Sequence, residues 1–131
     1  TLECFDLSHI YGARVLIKEG LVEGPLHFGL VLNVPGGVPY TPQILGFMLE
    51  QLPESAFWTV MGIGRSSLPA VYGAVANNGF IRVGFEDNVY YSRGVLANSN
   101  AQLVERAARI VKESGNEIAT PDDVRSMLQL S

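Results

Sequence analysis

The sequence is poor in the residues that build disulfides and multi-ligand metal sites: it has one cysteine, Cys4, and two histidines, His9 and His27. A single cysteine excludes an internal disulfide and any zinc site made of several cysteines. It also suits the reducing environment of the cytoplasm, where we place the protein. Because Cys4 lies in an apolar, strand-like run, we expect a buried thiol that packs in the core.

Charged residues are also scarce, at 17% of the chain, and the nine lysines and arginines form no cluster. Nucleic acid is therefore not an expected partner. Apolar runs such as Phe28–Leu32 are far too short to cross a bilayer, so a membrane is not expected either. Apolar residues nevertheless make up 47% of the 131 residues, which is enough for one domain with a real core and too many for a disordered chain.

Apolar runs and helix-capping signals alternate along the chain. The run 26–34 is apolar almost throughout, as in a doubly covered parallel strand, and Thr41–Pro42 then has the cap and first residue typical of a helix start. Ser8 is the predicted cap of the first helix, and Gly20 its end. In full, strands are predicted at residues 2–6, 26–34, 56–61 and 80–88, and helices at about 9–19, 42–52, 68–77, 99–114 and from 121 onward.

Four strands alternating with helices predict an α/β fold built from parallel βα units. A doubly wound sheet and a barrel share this spacing, and four units match half of an eight-stranded βα barrel. Half a barrel leaves two unpaired sheet edges and an open inner face, so it would associate with other chains or be completed by further sequence. Since the chain starts without methionine or a secretion signal, directly in the strand-like run Thr1–Phe5, we expect a piece of a longer chain.

The stretch Phe80–Asn88 carries charge where buried strands seldom do. As a strand it would alternate a packing face with a polar face. The packing face would hold Ile81, Val83 and Phe85, and the polar face Arg82, Gly84 and Glu86. Because parallel strands end at one edge of a sheet, where α/β enzymes hold their active sites, we expect chemistry near Glu86 and Asp87.

Each of these charged side chains has a structural interpretation beside the functional one. Glu86 and Asp87 could bind a metal or act as a base, or they could cap a helix or pair with an arginine. Arg82 could hold a substrate carboxylate through paired hydrogen bonds, with Gly84 clearing the way, or it could form an ion pair that fills the interior. The pattern alone leaves both interpretations open.

Two further features follow strand ends. The loop Gly62-Ile-Gly-Arg-Ser-Ser67 leads from a strand into a helix, where exposed amides suit a phosphate, but a lone GxG is common and by itself favours a tight turn. His9 follows the first strand and could bind a metal, although a single histidine without a near partner is a weak signal. His27 opens its strand at the opposite end and is expected to be structural.

Six stretches run in order along the chain: Glu3–Asp6, Val34–Gly37, Gly62–Arg65, Arg82–Asn88, Asn100–Val104 and Ala119–Asp122. Together they resemble the beta-keto acid cleavage enzyme family, whose type activity is 3-keto-5-aminohexanoate cleavage. The resemblance implies a zinc-dependent (β/α)8 TIM barrel that is usually a homotetramer. Residues 1–131 would be the C-terminal half of this single domain and supply about its last four βα units.

The resemblance also implies an enzyme that joins a beta-keto acid with acetyl-CoA and gives acetoacetate and a new acyl-CoA. In such an enzyme Glu86 matches the carboxylate ligand of zinc. Arg82 matches the catalytic arginine, Asp87 its acidic partner, and Glu3 a further active-site glutamate. The family's other two zinc ligands form a His-x-His pair on an early strand, and no His-x-His occurs in this sequence.

From the loop itself we infer that Gly62, Gly64 and Arg65 receive part of the CoA. A rival hypothesis is a phosphate-binding TIM-barrel aldolase or isomerase that uses the same loop. A hypothesis of a different class is a non-catalytic assembly domain, in which Glu86 and Asp87 serve structure alone. Under the leading hypothesis we expect this chain by itself to be inactive, because the histidine ligands of zinc lie outside it.

Overall fold

A computed structural model describes residues 1–130 and contains four parallel strands, hydrogen-bonded in chain order, with helices between them. The strands are β1 (Leu2–Cys4), β2 (His27–Leu32), β3 (Phe57–Gly62) and β4 (Phe80–Ile81). The helices are α1 (Leu7–Lys18), α2 (Pro42–Glu50), α3 (Ser67–Ala76), α4 (Asn100–Glu113) and α5 (Pro121–Met127). Within the described part of the chain, no helix combines the length and apolar character needed to cross a membrane. The parallel βα units predicted from the sequence are confirmed.

Helices α1, α2 and α3 pack on one face of the sheet because alternate strand residues on that face are apolar. Phe28, Leu30 and Leu32 of β2 are fully buried in one cluster with Ile10 of α1 and Leu45 of α2. A barrel wall carries its helices on one face, whereas a doubly wound sheet carries them on both. Among the described residues, β1 and β4 each pair with a single strand, so both sheet edges are open. The architecture is therefore consistent with part of a TIM barrel.

Cys4 ends β1 and belongs to the same apolar cluster, with 1% of the residue exposed. Burial raises the pKa of its thiol to about 11. A thiol that stays protonated at neutral pH is a poor nucleophile. The predicted packing role of this cysteine is confirmed by its placement.

The helix starts follow the capping signals of the sequence, with one correction. Thr41 caps α2 as predicted, and its Oγ1 accepts a hydrogen bond from Ile44 N–H at 3.1 Å. The prediction for the first helix is wrong: α1 begins at Leu7, and Asp6 rather than Ser8 is its cap. Asp6 Oδ1 accepts from Ser8 N–H at 2.9 Å, and this hydrogen bond holds the pKa of Asp6 below its usual value.

The fourth strand is much shorter than predicted. Only the two residues of β4 pair with β3, and the predicted continuation to residue 88 is wrong. Residues 84–87 form a turn, in which Asp87 N–H and Asn88 N–H donate to the Gly84 carbonyl at 3.1 and 2.9 Å. This turn removes Phe85 from the predicted packing face and leaves it 40% exposed. Gly84 at the start of this segment, with Asp87 and Asn88 at its end, favours such a turn over an extended chain.

A β-hairpin occupies part of the segment between residues 88 and 99, where neither a strand nor a helix is predicted from the sequence. Its antiparallel strands, β5 (Tyr90–Ser92) and β6 (Val95–Leu96), are joined at Arg93–Gly94. A two-residue connection that contains glycine, between short runs of strand-forming residues, is the sequence signal for a hairpin. This signal was overlooked, and the hairpin forms one wall of a cavity described below.

Candidate active site

One arginine gathers three carboxylates where β4 ends. Arg82 directly follows β4, and its guanidinium nitrogens lie 3.7, 2.7 and 3.2 Å from carboxylate oxygens of Glu3, Glu86 and Asp87. We call these four residues the acidic cluster. They are the residues to which the sequence assigned catalysis and metal binding, and the structure brings all four together. Three ionised carboxylates against one guanidinium leave two excess negative charges.

The ion pair between Glu3 and Arg82 joins opposite edges of the sheet. Glu3 lies in β1, Arg82 follows β4, and two strands separate them. Since neighbouring strands are about 4.8 Å apart, a flat sheet would hold the two backbones about 14 Å apart. A side-chain contact at 3.7 Å indicates that both residues extend over one face and that the sheet curls toward it. Gly29 leaves room on this face, because a Cβ there would lie 2.9 Å from Met61 Cε and in contact with Glu3 Cγ at 3.4 Å.

Asp87 is the buried member of the cluster, with 6% of the residue exposed. Arg82 approaches it side-on: Nε lies 3.2 Å from Oδ2, and Nη2 donates to Oδ1 at 3.2 Å. Burial raises the pKa of Asp87 above its usual value, and the charge of Arg82 offsets part of that rise. Although Oδ2 is within ion-pair distance of Nε, it accepts no aligned hydrogen bond from any described residue. A carboxylate oxygen beside the guanidinium can therefore accept a further hydrogen bond.

Glu86 is the exposed member, with 83% of its side chain accessible and Oε2 at 2.7 Å from Arg82 Nη2. It lies on a turn and not in a strand, and its carboxylate is accessible from outside the cluster. One exposed carboxylate can serve as a zinc ligand, but a protein zinc site needs three or four ligands. Within residues 1–130, no group of three or more His, Cys, Asp and Glu side chains is placed to hold a metal ion. These residues alone do not fit a zinc site.

The glycine-rich loop is joined to the acidic cluster through the backbone. Gly64 N–H donates to the Asp87 carbonyl at 2.7 Å. Gly62 closes β3, and a Cβ at this position would collide with the Ser66 carbonyl, so the tight turn requires glycine. Gly64 opens a 3-10 turn with φ of 61°, and Arg65 in that turn is exposed. The residues predicted to receive CoA thus lie next to the acidic cluster.

The two histidines make local hydrogen bonds. His9 Nδ1 accepts from Phe5 N–H at 3.1 Å, near the start of α1. His27 Nε2 lies 2.8 Å from Thr59 Oγ1 where β2 begins, and burial lowers the pKa of His27. This placement agrees with a structural role for His27, and His9 joins no metal-binding group among residues 1–130.

Sequence reasoning missed Arg106, a buried arginine of α4 that is 8% exposed. Its guanidinium donates to the Tyr91 carbonyl and lies 4.5 Å from the centre of the Tyr91 ring. Arg106 shares the buried face of α4 with Leu103, Ala107 and Ile110, at helical spacing. An arginine on the apolar face of a helix was the signal that could have revealed it.

The described chain as a whole matches one enzyme family. A model of the beta-keto acid cleavage enzyme family matches residues 1–130. The chain belongs to the beta-keto acid cleavage enzyme family. This finding confirms the resemblance that rested on Arg82–Asn88 and its companion stretches.

Curated relatives bear names of the same kind. The chain is 43% identical to the 3-keto-5-aminohexanoate cleavage enzyme of Acetoanaerobium sticklandii and 45% identical to that of Fusobacterium nucleatum, over 98% of this chain and 47% of each relative. It is 36% identical to the 3-oxoadipate:acetyl-CoA acetyltransferase of Cupriavidus necator, over 98% of this chain and 46% of that relative. The chain therefore spans about half the length of these family members.

Proposed function

We propose that the complete protein is a zinc-dependent beta-keto acid cleavage enzyme that condenses a beta-keto acid with acetyl-CoA. The observation that carries this proposal is the ion pair between Arg82 and the buried Asp87, with Glu3 reaching Arg82 from the opposite edge of the sheet. Family membership and the names of the relatives support it. Assembly as a homotetramer, and the place of residues 1–131 as the C-terminal half of one (β/α)8 barrel, are part of the same proposal.

The proposed reaction exchanges two acyl groups. The acyl group of the beta-keto acid passes to the sulfur of CoA, and the acetyl group passes from that sulfur to the carbon that the first group left. The beta-keto acid loses a proton from the carbon between its ketone and its carboxylate, and that carbon forms a bond to the acetyl carbonyl carbon as the CoA thiolate leaves. The thiolate then attacks the original ketone carbon, whose bond to the first carbon breaks. The proton returns to that carbon, which gives acetoacetate and a new acyl-CoA.

Asp87 is the proposed proton acceptor, held in place by Arg82 through the side-on contact at 3.2 Å. Arg82 is a poor base because its guanidinium stays protonated, so we assign it to binding the substrate carboxylate and to orienting Asp87. Glu3 contacts Arg82 at 3.7 Å and would position the guanidinium over the concave face. Asp87 is thus the base, Arg82 the group that binds the substrate carboxylate, and Glu3 the group that positions Arg82.

Zinc, when bound, would polarise a ketone oxygen as a Lewis acid. Glu86 is the one residue of this chain that we propose as a ligand, since its carboxylate is exposed beside Arg82. The remaining ligands would come from outside residues 1–130, because the described side chains form no metal site by themselves. The proposed contacts for CoA are Gly62, Gly64 and Arg65. Their loop lies beside the proposed base, because Gly64 N–H donates a hydrogen bond to the Asp87 carbonyl.

Two substitutions in the complete protein test this function. Asp87→Asn preserves size but removes the base, so acyl-CoA formation should fall by a factor of about 100 or more while the thermal unfolding profile is kept. Glu86→Gln should lower bound zinc from about one ion per chain toward none, measured by elemental analysis. Normal turnover in Asp87→Asn, or full zinc in Glu86→Gln, would contradict the assignments. Binding of a sugar phosphate without acetyl-CoA would favour the aldolase or isomerase alternative.

A further inference from the structure

A cavity of about 660 Å³ opens beside the acidic cluster, between the turn at Gly64–Ser66 and the β5–β6 hairpin. Its lining includes three arginines from three separate elements: Arg65 of the turn, Arg93 of the hairpin and Arg106 of α4. We call it the arginine cavity. Its volume lies within the range of about 300–1,000 Å³ that is typical of small-molecule sites.

None of the three arginines has a carboxylate partner among residues 1–130. Ion pairs within 4.0 Å occur elsewhere in the described chain, at Arg82, Arg109 and Arg125. Arg65 and Arg93 are exposed and need no partner, but they add two positive charges to the rim of the cavity. The lining of the cavity therefore carries three positive charges and no carboxylate that pairs with them within the described chain.

Arg106 makes this imbalance significant because it is more than nine-tenths buried. Its guanidinium donates to the Tyr91 carbonyl and lies over the Tyr91 ring, contacts that hold its position but leave its charge uncompensated. A buried charge is costly unless it is paired. A fixed, buried guanidinium facing a cavity with two more arginines is the arrangement of an anion site built to hold several negative groups.

We propose that the arginine cavity binds the phosphate-bearing nucleotide end of CoA. The inference rests on the proposed function, which requires a CoA thioester, and it adds Arg93 and Arg106 to the residues that hold it. The cavity is adjacent to the reaction site, since Asn88 lines it directly after Asp87, and Gly64 lines it while donating to the Asp87 carbonyl. The phosphates of CoA supply the missing negative charge, and the tyrosine side chains of β5 offer aromatic faces to the adenine ring.

Steady-state kinetics of the complete protein with Arg65→Gln and Arg93→Gln test the proposal, because both residues are exposed and their replacement should not affect folding. Each substitution should raise KM for acetyl-CoA about tenfold or more, the loss expected for one charged hydrogen bond, and change KM for the keto acid less than about twofold. Arg125→Gln is the matched control: an exposed arginine of α5, paired with Asp122, whose loss should alter neither constant.

Removal of phosphate from the ligand provides the second arm. Wild-type protein should prefer acetyl-CoA over its 3′-dephospho form, and at least one arginine variant should lose that preference. Unchanged KM for acetyl-CoA in both variants, in an active enzyme, would overturn the cavity assignment and Arg65 as a CoA contact, and would leave the proposed reaction intact. If no keto acid is cleaved, the proposed function fails, and calorimetry with CoA and with inorganic phosphate decides the cavity. Binding of CoA that Arg93→Gln weakens would support the site, whereas binding of phosphate alone would overturn it.

Discussion

Two neighbouring regions of this chain differ in whether their arginines have carboxylate partners. In the acidic cluster one guanidinium, Arg82, faces three carboxylates, whereas in the arginine cavity three guanidinium groups face no carboxylate of the described chain. The two regions share the backbone hydrogen bond between Gly64 and Asp87. Buried charges are usually paired, so a buried Arg106 without a carboxylate partner among residues 1–130 is a structural feature that needs an explanation.

The explanation we offer is that each region is completed by a ligand of the opposite sign. Excess negative charge around Glu86 suits a metal cation, and excess positive charge around Arg106 suits phosphate groups. The same type of residue thus serves two purposes, set by its neighbours. Arg82 is paired with carboxylates, whereas the arginines of the cavity have no carboxylate partner among residues 1–130 and are the proposed contacts of an anion.

The largest effect is expected from breaking the acidic cluster with Arg82→Gln. Asp87 would lose its only cationic contact among residues 1–130, so kcat/KM for acyl-CoA formation should fall by a factor of about 100 or more. Unfolding free energy should fall by about 1–3 kcal/mol, less than for a fully buried pair because the Arg82 side chain is 36% exposed. Arg82→Lys is the control, since it keeps the charge without the side-on geometry. Equal activity in Arg82→Lys and wild type would refute a geometric role for the guanidinium.

The next largest effect should come from the link between the two regions. Gly62→Ala forces a Cβ against the Ser66 carbonyl and should cost about 1–3 kcal/mol of stability by denaturant unfolding. Gly64→Ala meets no atom within 4 Å and should cost only the backbone strain of its positive φ, about 1–2 kcal/mol. Both should raise KM for acetyl-CoA, because both displace the turn that carries Arg65. An unchanged KM in Gly62→Ala would show that the turn does not contact CoA.

A smaller effect is expected for the dependence of stability on pH, and its source lies at the other end of the sheet from both regions. Neither the acidic cluster nor the arginine cavity contains a histidine, whereas His27 lies where β2 begins and burial lowers its pKa. The folded state therefore binds this proton less readily than the unfolded state. The contribution of His27 is complete above about pH 6.5 and is lost as the pH falls below that value. His27→Gln should flatten the decline in melting temperature between pH 7 and 5, and an identical decline would exclude His27 as its source.

Cys4, the neighbour of Glu3 in β1, is expected to contribute least to function, and its chemical reactivity reports which face of β1 it occupies. Strand alternation places Glu3 over the concave face and Cys4 in the apolar cluster on the opposite face. At pH 8, iodoacetamide should alkylate Cys4 at least about 100-fold more slowly in the folded protein than in urea, because burial disfavours the thiolate. Fast labelling of the native protein would contradict the burial of Cys4. It would also contradict the placement of Glu3 on the opposite face of β1.

Much of the fold was accessible from the sequence because it depends on local signals. The apolar run of β2 and the Thr41–Pro42 helix start produced the elements they predicted. The predicted length of the fourth strand was wrong. The alternation of Ile81, Val83 and Phe85 indicates a strand, but the turn that begins at Gly84 prevails over it. Arg82 and Asp87 still meet, since a turn brings them together as effectively as a strand end would.

The arginine cavity was not predictable by the same means because it is made by three distant segments. Arg65, Arg93 and Arg106 are far apart in sequence and form no basic run, so composition suggested no basic site at all. The hairpin that brings Arg93 to the cavity had a local signal, the glycine turn between strand-forming residues. The contact between Glu3 and Arg82 likewise depends on the curvature of the sheet, which no local pattern encodes.

An isotope experiment tests the central claim most directly: that the complete protein exchanges acyl groups between a beta-keto acid and acetyl-CoA at the acidic cluster. With acetyl-CoA labelled with ¹³C in both acetyl carbons and an unlabelled beta-keto acid, mass spectrometry should find the label in acetoacetate and an unlabelled new acyl-CoA. Asp87→Asn should produce neither. Label retained in acetyl-CoA, absence of acetoacetate, or full turnover in Asp87→Asn would contradict the account.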